Sequence, residues 1–203
     1  MLTFDHIAVS AMTLAEGVAH VEQALGVPLA GGGQHPHMAT HNRLLALGDL
    51  YLEVIAADPA LPRPPRPRWF NLDNFSGAPD LTNWVARTDD LQAALAGAPK
   101  GTGTPVALSR GQYHWQMAVP ADGKLPFDGA FPALIQWQPP HHPTRSLPDQ
   151  NVRLTRLEIT HPEAAALRAA LKDLTDDRIQ ITQGPHKALR ASFQTPHGPR
   201  HLA

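Results

Sequence analysis

One order of predicted elements occurs twice within residues 1–145 of this 203-residue chain. Each occurrence begins with a strand, continues with a capped helix and ends with three further strands. A repeated order of this kind predicts two copies of one structural unit that pack against each other. We therefore expect an α+β protein with paired βαβββ modules.

The local signals are clearest in the first copy. Thr13 and Glu16 have the spacing of a capping box, which predicts that a helix begins there. Residues 41–47 and 50–56 are apolar runs separated only by Gly48-Asp49. A two-residue link of this composition predicts a tight β-hairpin.

The whole chain is predicted to have four parts. A stretch rich in proline and arginine separates the two modules, and we interpret it as a stiff crossover rather than a ligand for an SH3-type domain. After the second module, Thr160 and Glu163 repeat the capping-box spacing before another helix. The predicted parts are the first module at residues 1–57, the linker at 58–79, the second module at 80–145 and a shorter C-terminal β-α-β-β appendage at 151–203.

Alternation along the first strand predicts which side chains point away from the helix. Phe4, His6 and Ala8 fall on one face, and Asp5 falls on the opposite face, under the helix.

The hairpin register extends this prediction to the later strands. Asn42 is expected opposite Ile55, and Tyr51 and Glu53 share the face of Ile55. Asn42, Tyr51 and Glu53 are therefore expected to face one cavity together with His6. A carboxylate in an otherwise apolar strand must be paired, ligated or protonated, so Glu53 is a candidate metal ligand or a general base with a raised pKa.

Composition excludes several classes of function. The chain has 17 Lys plus Arg against 18 Asp plus Glu, so it has no broad basic surface for nucleic acid. It contains no cysteine, which excludes disulfides and thiolate sites. It has no apolar run of membrane-spanning length, no signal-peptide pattern at its start and no nucleotide-binding or nucleophile-elbow motif. We expect a cytoplasmic protein whose partner is a small molecule.

Several segments resemble the vicinal oxygen chelate superfamily, and most closely its glyoxalase-like branch. The resemblance covers nearly the whole chain and lies in Phe4–Val9, the capped helix ending at Leu25-Gly26, Gly33–Pro36, Thr40–Gly48, Tyr51–Ile55 and Phe131–Trp137. It implies that the modules curl into an incompletely closed barrel around a cavity. By position, it implies functional residues on the first and last strands of each module, at His6 and Glu53, then at Asn83 and Gln136.

The resemblance also implies a cofactor. One divalent metal ion (Zn, Fe, Mn or Ni) held by His6 and Glu53 is one interpretation, and a metal-free site is the other. Asn83 and Gln136 are neutral amides, which are weak ligands for a transition metal, so they are interpreted as substrate anchors. Trp115 either lines the pocket or fills the core.

The remaining polar candidates are less constrained by the sequence. His35, His37 and His41 are interpreted as a loop at the pocket mouth, with a metal pair as the alternative. Arg110 is a candidate for binding a substrate carboxylate. His142 lies in a proline-flanked turn and is expected to be solvated.

Three functions are compatible with these residues. The first is an enzyme of the lyase, isomerase or dioxygenase type that acts on a small oxygenated molecule, with Glu53 as base and His6 as its acid partner. The second is a metal-free binding or sequestering protein of the bleomycin-resistance type; a degenerate module kept for subunit contacts is a third. Because the duplication lets one chain build the pocket, either a monomer or a homodimer is expected.

Overall fold

The computed structural model describes residues 1–203 and contains twelve strands and three α-helices. The elements in chain order are β1 (Thr3–Ser10), α1 (Leu14–Leu25), β2 (Gln34–His35), β3 (Thr40–Ala46), β4 (Tyr51–Ala57), β5 (Asp80–Arg87), α2 (Leu91–Gly97), β6 (Thr104–Arg110), β7 (Tyr113–Val119), β8 (Ala133–Trp137), β9 (Arg153–His161), α3 (Ala164–Ala170), β10 (Ile179–Gln183), β11 (Ala188–Thr195) and β12 (Gly198–Leu202).

Eight strands form one sheet in the order β2-β3-β4-β1-β5-β8-β7-β6. Strands β1 and β5 pair antiparallel at its centre, and each also pairs in parallel with the last strand of its own module. The two halves therefore have the same arrangement, as the repeated element order predicted. The sheet curls until its edge strands β2 and β6 approach each other without backbone pairing, which leaves a barrel with one open seam. The predicted fold class is confirmed.

Helix α1 begins as its capping box predicted. The Thr13 hydroxyl accepts a hydrogen bond from the Glu16 backbone N–H at 3.2 Å and donates to the Glu16 carboxylate at 2.8 Å. Gly26 ends the helix in the left-handed conformation, with φ of 73°. Val21 and Leu25 are buried on the outer face of the barrel.

The alternation predicted for β1 is wrong at its beginning. The register against β5 shifts between Phe4 and His6, so Asp5 is the extra residue of a β-bulge. Phe4 therefore packs into the core under the helix, against Trp84 at 5.5 Å between ring centroids, instead of facing the cavity. The bulge also brings the Asp5 carboxylate to the side of the His6 ring, where alternation did not place it.

The hairpin register predicted for β3 and β4 is confirmed. Asn42 pairs with Ile55 and Leu44 with Glu53, and the Leu47 N–H donates to the Leu50 carbonyl across the turn at 2.9 Å.

The third unit forms a separate four-stranded sheet in the order β10-β9-β11-β12. It contains one strand more than predicted, because the short Gly198–Leu202 segment folds back onto β11. The capping box predicted from Thr160 to Glu163 is wrong, since Thr160 and His161 continue β9. His161 supplies the local contact instead, accepting a hydrogen bond from the Glu163 N–H at 2.9 Å.

Apolar packing joins the two sheets. A cluster of 29 buried side chains includes Ile7 and Leu52 of the barrel, Val21 of α1, and Leu157 and Phe193 of the second sheet. A second cluster of 14 buried side chains fills the inside of the barrel. No helix is both long enough and apolar enough to cross a membrane.

The segment between the modules is not extended throughout. Residues Trp69–Asn74 form tight 3-10 turns, in which Trp69, Phe70 and Leu72 are buried against the barrel. Phe70 and Asn71 have φ near 55°, a conformation that non-glycine residues rarely adopt.

Candidate active site

A hollow inside the barrel collects most of the candidate residues. The packed side chains leave about 30 Å³ of free space within it, room for one or two water molecules. The polar and aromatic side chains that line it include His6, His35, Asn42, Tyr51, Glu53, Trp69, Phe70, Arg110, Trp115 and Trp137.

The His6 ring is held between two carboxylates. Its Nδ1–H donates to Asp5 Oδ1 at 2.6 Å, and its Nε2 lies 3.6 Å from Glu53 Oε2. The ring stacks on Tyr51 at 4.2 Å between centroids and 18° between planes. Because Asp5 fixes the proton on Nδ1 and Tyr51 fixes the plane of the ring, Nε2 is directed toward Glu53 and the cavity.

Asp5 contacts the His6 ring from behind the cavity, a position that alternation did not predict. Its fully buried carboxylate also accepts from His142 Nε2 at 3.0 Å and from Trp137 Nε1 at 3.2 Å, with Arg87 at 3.5 Å. Burial alone would raise the pKa of Asp5, but the hydrogen bonds and charges of His142 and His6 lower it well below its usual range. His142 is therefore part of the site, and the expectation that it is solvated is wrong.

Glu53 is ionised rather than protonated. Burial favours the neutral acid, but the His6 and Asn42 contacts outweigh it and lower the pKa of Glu53 to about 2. The Asn42 amide donates to Glu53 Oε1 at 2.6 Å, and Oε2 has only the long approach to His6. The prediction that Asn42 and Glu53 share a face is confirmed by the hairpin register, whereas the predicted rise of the Glu53 pKa is wrong.

Arg110 closes the seam of the barrel from the end of β6. Its guanidinium donates to Asn42 Oδ1 at 2.9 Å and to His35 Nε2 at 3.2 Å, across the gap to β2 and β3. Its aliphatic stem lies against Gly33, where a Cβ atom would come within 2.6 Å of the arginine Cδ. No carboxylate lies within 4 Å of the Arg110 guanidinium, so its charge faces neutral acceptors only.

His35 lies inside the cavity instead of in a loop at its mouth. Burial lowers the pKa of His35 to about 4, so the ring is neutral at pH 7. Nδ1 lies 3.1 Å from the Thr40 hydroxyl, and Nε2 accepts from Arg110. His37 is exposed, so the two histidines do not form a metal-binding pair.

Aromatic side chains form the rest of the wall. Trp115 is buried against Trp137, with 5.3 Å between ring centroids, so it both lines the cavity and fills the core. Trp69 covers one side, 5.1 Å from the His35 ring centre. The indole N–H of Trp69 is buried without an acceptor in the protein. A ligand oxygen would satisfy this donor.

Two predicted anchors lie outside the cavity. Ile135 and Trp137 face the hollow, so strand alternation turns Gln136 outward, where its side chain accepts from the Leu91 N–H at 2.8 Å and helps to cap α2. Asn83 pairs with Ala8 in the antiparallel register between β1 and β5. It lies in a neighbouring cleft.

The cavity does not provide the donor set of a transition-metal site. His6 and Glu53 supply two ligands, and no three His, Asp or Glu side chains are arranged to hold an ion. His35 is the nearest further imidazole, but its Nε2 is hydrogen-bonded to the cationic Arg110. Protein zinc sites use at least three protein ligands, so these residues do not fit a metal held by the chain alone.

A comparison with protein families identifies the fold. Residues 4–175 match the model of the glyoxalase-like domain. The chain belongs to this family. The resemblance of this protein to the glyoxalase-like branch is thereby confirmed. No curated protein sequence matches it.

Solved structures agree with this assignment at the level of fold. A hypothetical protein from Staphylococcus aureus superimposes with a TM-score of 0.64 and 14% identity, over 93% of this chain and 88% of that one. Methylmalonyl-CoA epimerase from Mycobacterium tuberculosis has a TM-score of 0.44 and 16% identity, over 68% of this chain and 88% of that one. The Streptomyces coelicolor methylmalonyl-CoA epimerase, in complex with 2-nitronate-propionyl-CoA, has a TM-score of 0.42 and 14% identity, over 68% of this chain and 97% of that one. At 14% identity, the Staphylococcus aureus structure shows a shared fold alone.

Proposed function

We propose that this glyoxalase-like protein is an enzyme that moves protons on a small oxygenated carboxylate, as in an isomerase or lyase reaction. One observation carries the proposal: a buried imidazole is oriented by one carboxylate, Asp5, and has a second carboxylate, Glu53, 3.6 Å from its other nitrogen. An oriented acid beside a base within one cavity is the arrangement that general acid–base catalysis requires.

His6 is suited to the role of acid. Burial alone would lower the pKa of His6, but the hydrogen bonds and charges of Asp5 and Glu53 outweigh it and raise that pKa above 6.5. The raised pKa favours the protonated form of the ring, which is the form that can act as an acid. In this role, Nε2–H donates its proton to a substrate oxygen, while Asp5 holds the Nδ1–H and the tautomer.

Glu53 is suited to the role of base once the substrate is bound. At 3.6 Å, its Oε2 is too far from His6 Nε2 for a good hydrogen bond, so a substrate atom can approach it. When the His6 proton moves to a substrate oxygen, the positive charge near Glu53 disappears, and the pKa of Glu53 rises from about 2. Glu53 then accepts a C–H proton next to a carbonyl while His6 protonates the carbonyl oxygen. The resulting enol takes the proton back from Glu53 on another carbon or face and returns its O–H proton to His6, which restores both groups.

The position of Arg110 is the reason for proposing that the substrate contains a carboxylate. Its partners in the cavity are the neutral Asn42 and His35, and a carboxylate would form a stronger, two-pronged pair with the guanidinium. Because the cavity leaves only about 30 Å³, substrate binding requires lining side chains to move, and a carboxylate that pairs with Arg110 would replace its contacts with Asn42 and His35. The buried Trp69 N–H supplies a further donor for a substrate oxygen.

Exchange of carbon-bound protons tests the proposal directly. The protein is incubated in D₂O with a panel of 2-oxo and 2-hydroxy carboxylates, and loss of the α-proton signal is followed by NMR. We expect exchange with at least one compound, a fall of roughly 100-fold or more in Glu53→Gln and in His6→Gln, and little change in Arg43→Ala, whose side chain is exposed on the outer face. Exchange that is unchanged in Glu53→Gln would contradict the proposal.

A binding function without chemistry is the second candidate. The low pKa of the unliganded Glu53 and the mutual hydrogen bonding of the cavity side chains favour it. Carboxylates that bind and lose affinity in Arg110→Ala, with no proton exchange in any case, would support sequestration. Metal content of protein purified without chelator, compared between wild type and Glu53→Gln, separates both candidates from a metalloenzyme.

A further inference from the structure

A second cleft lies beside the candidate active site. It has a volume of about 370 Å³ and is formed by the second module, the turns at Trp69–Asn74 and the hairpin between β10 and β11. Phe70 lines both hollows and forms the partition between them. The cleft contains none of the side chains assigned above to proton transfer.

The inner part of this cleft holds a buried amide without a protein partner. Asn83 is 4% exposed, and its side chain makes no hydrogen bond within the protein. Its Nδ2 lies over Gly129, where an added Cβ would come within 2.7 Å of it. Because no protein group occupies this amide, it is free to form hydrogen bonds with a ligand in the cleft.

A partly buried ammonium group lies in the same cleft. Lys187 reaches into it from the third unit and donates to the Thr82 carbonyl at 2.7 Å. No carboxylate lies within 4 Å of its Nζ, and burial lowers its pKa despite the more distant charges of Asp80 and Asp128. The ammonium therefore has donors left over and no counter-charge in contact.

The other charged groups of the cleft lie at its mouth. Asp80, Lys124 and Asp128 are all exposed there, so water and salt screen them. The less screened inner groups are the Lys187 ammonium and the Asn83 amide, and both can donate hydrogen bonds.

The backbone around the cleft is held in unusual conformations. Phe70, Asn71, Phe127 and Asp128 all have φ between 52° and 56° without being glycine. Left-handed conformations at non-glycine residues cost free energy and cluster at binding sites. Here they border one cleft from two separate segments.

We propose that this cleft is a second ligand site, which binds a small oxoanion (a carboxylate or a phosphate) between the Lys187 ammonium and the Asn83 amide. The site does not depend on the proton-transfer function, because Phe70 separates it from His6 and Glu53. It would hold either a separate anion or a distant anionic group of a larger substrate.

Titration with inorganic phosphate and with acetate at constant ionic strength tests this site. The readout is the side-chain NH₂ resonance of Asn83 in ¹H–¹⁵N NMR spectra. We expect a saturating shift with at least one of the two anions, at least tenfold weaker binding in Lys187→Met, and a change of less than about twofold in Lys124→Met. A shift that does not saturate, or equal binding in Lys187→Met and wild type, would overturn the proposal.

Two further variants separate this cleft from the active-site cavity. Asn83→Asp keeps the side-chain shape and adds a negative charge, so we expect it to abolish phosphate binding measured by calorimetry. Arg110→Ala removes the cation of the other cavity and should leave that binding within about twofold. Loss of binding in Arg110→Ala together with retention in Asn83→Asp would place the anion in the active-site cavity and refute the second site.

Discussion

His35 shows how burial alone sets the charge of a side chain in this site. The ring is 5% exposed and has no carboxylate partner in hydrogen-bond range, so it stays neutral and accepts a hydrogen bond from Arg110. His6, also buried, differs because Asp5 and Glu53 stabilise its proton. Two histidines in one cavity therefore have pKa values displaced in opposite directions.

This difference predicts how stability depends on pH. The folded pKa of His35 is about 4 against an ordinary 6.5, so its contribution is fully present above pH 6.5 and is lost as the pH falls toward 4. The contribution of His6 to stability depends on pH in the opposite direction. It is fully present below pH 6.5 and is lost as the pH rises through the raised pKa of His6. We expect the free energy of unfolding, from urea titrations, to fall by about 2–3 kcal/mol between pH 7 and 4.5 through His35.

The matched variant is His35→Gln, which keeps an acceptor for Arg110 and a donor for Thr40. Its free energy of unfolding should be nearly flat over the same range. An equally steep fall in His35→Gln would show that another group is responsible.

At the scale of elements, the features that could be predicted from the sequence are those that a few neighbouring residues determine, such as a helix start or a tight turn. The Thr13 hydroxyl fixes the start of α1, and the turn at Gly48-Asp49 fixes the register that places Asn42 and Glu53. The bulge at Asp5 could not be predicted, because alternation assumes that each strand residue has one partner, and the extra residue depends on the pairing with β5. Arg110 could be recognised as a candidate, but only closure of the barrel brings it to His35.

The glycine-rich loop before β2 offers a test of how Asn42 is positioned. A Cβ on Gly32 would overlap the backbone oxygen of Asn42, whereas a Cβ on Gly31 would meet nothing within 4 Å. We expect Gly32→Ala to lower the free energy of unfolding by about 1–3 kcal/mol and to weaken carboxylate binding. Gly31→Ala is the control and should change neither quantity by more than about 0.5 kcal/mol. Equal effects of the two substitutions, in urea titration and calorimetry, would contradict this packing.

At the scale of the whole molecule, the third unit shares its core with the barrel. Leu157 is fully buried in the cluster that also contains Ile7 and Leu52, and Arg178 forms an ion pair with Asp49 of the first module at 2.8 Å. All four tryptophans lie outside the third unit, at positions 69, 84, 115 and 137. Tryptophan fluorescence therefore reports on the barrel alone.

The shared core predicts a single unfolding transition. Leu157→Ala removes buried apolar volume from the second sheet and should lower the free energy of unfolding by about 2–5 kcal/mol. We expect the fluorescence transition of the barrel to move to a lower urea concentration by the same amount as the circular dichroism transition. The control is Arg156→Ala, exposed on the same strand, which should leave the midpoints of both transitions unchanged. A fluorescence transition that does not move in Leu157→Ala would mean that the units unfold independently.

Seven boundaries between neighbouring strands of the barrel are held by backbone ladders, and the remaining one, between β2 and β6, is bridged by the side chain of Arg110. Separating paired strands is a slow, cooperative event, whereas a side chain can rotate within nanoseconds. Entry to the interior therefore requires no strand to leave the sheet. We expect an anion that pairs with the Arg110 guanidinium to release it from His35 and so to open the seam. The strength of the Arg110 contacts would then determine both the rate at which a ligand enters and which ligands can enter.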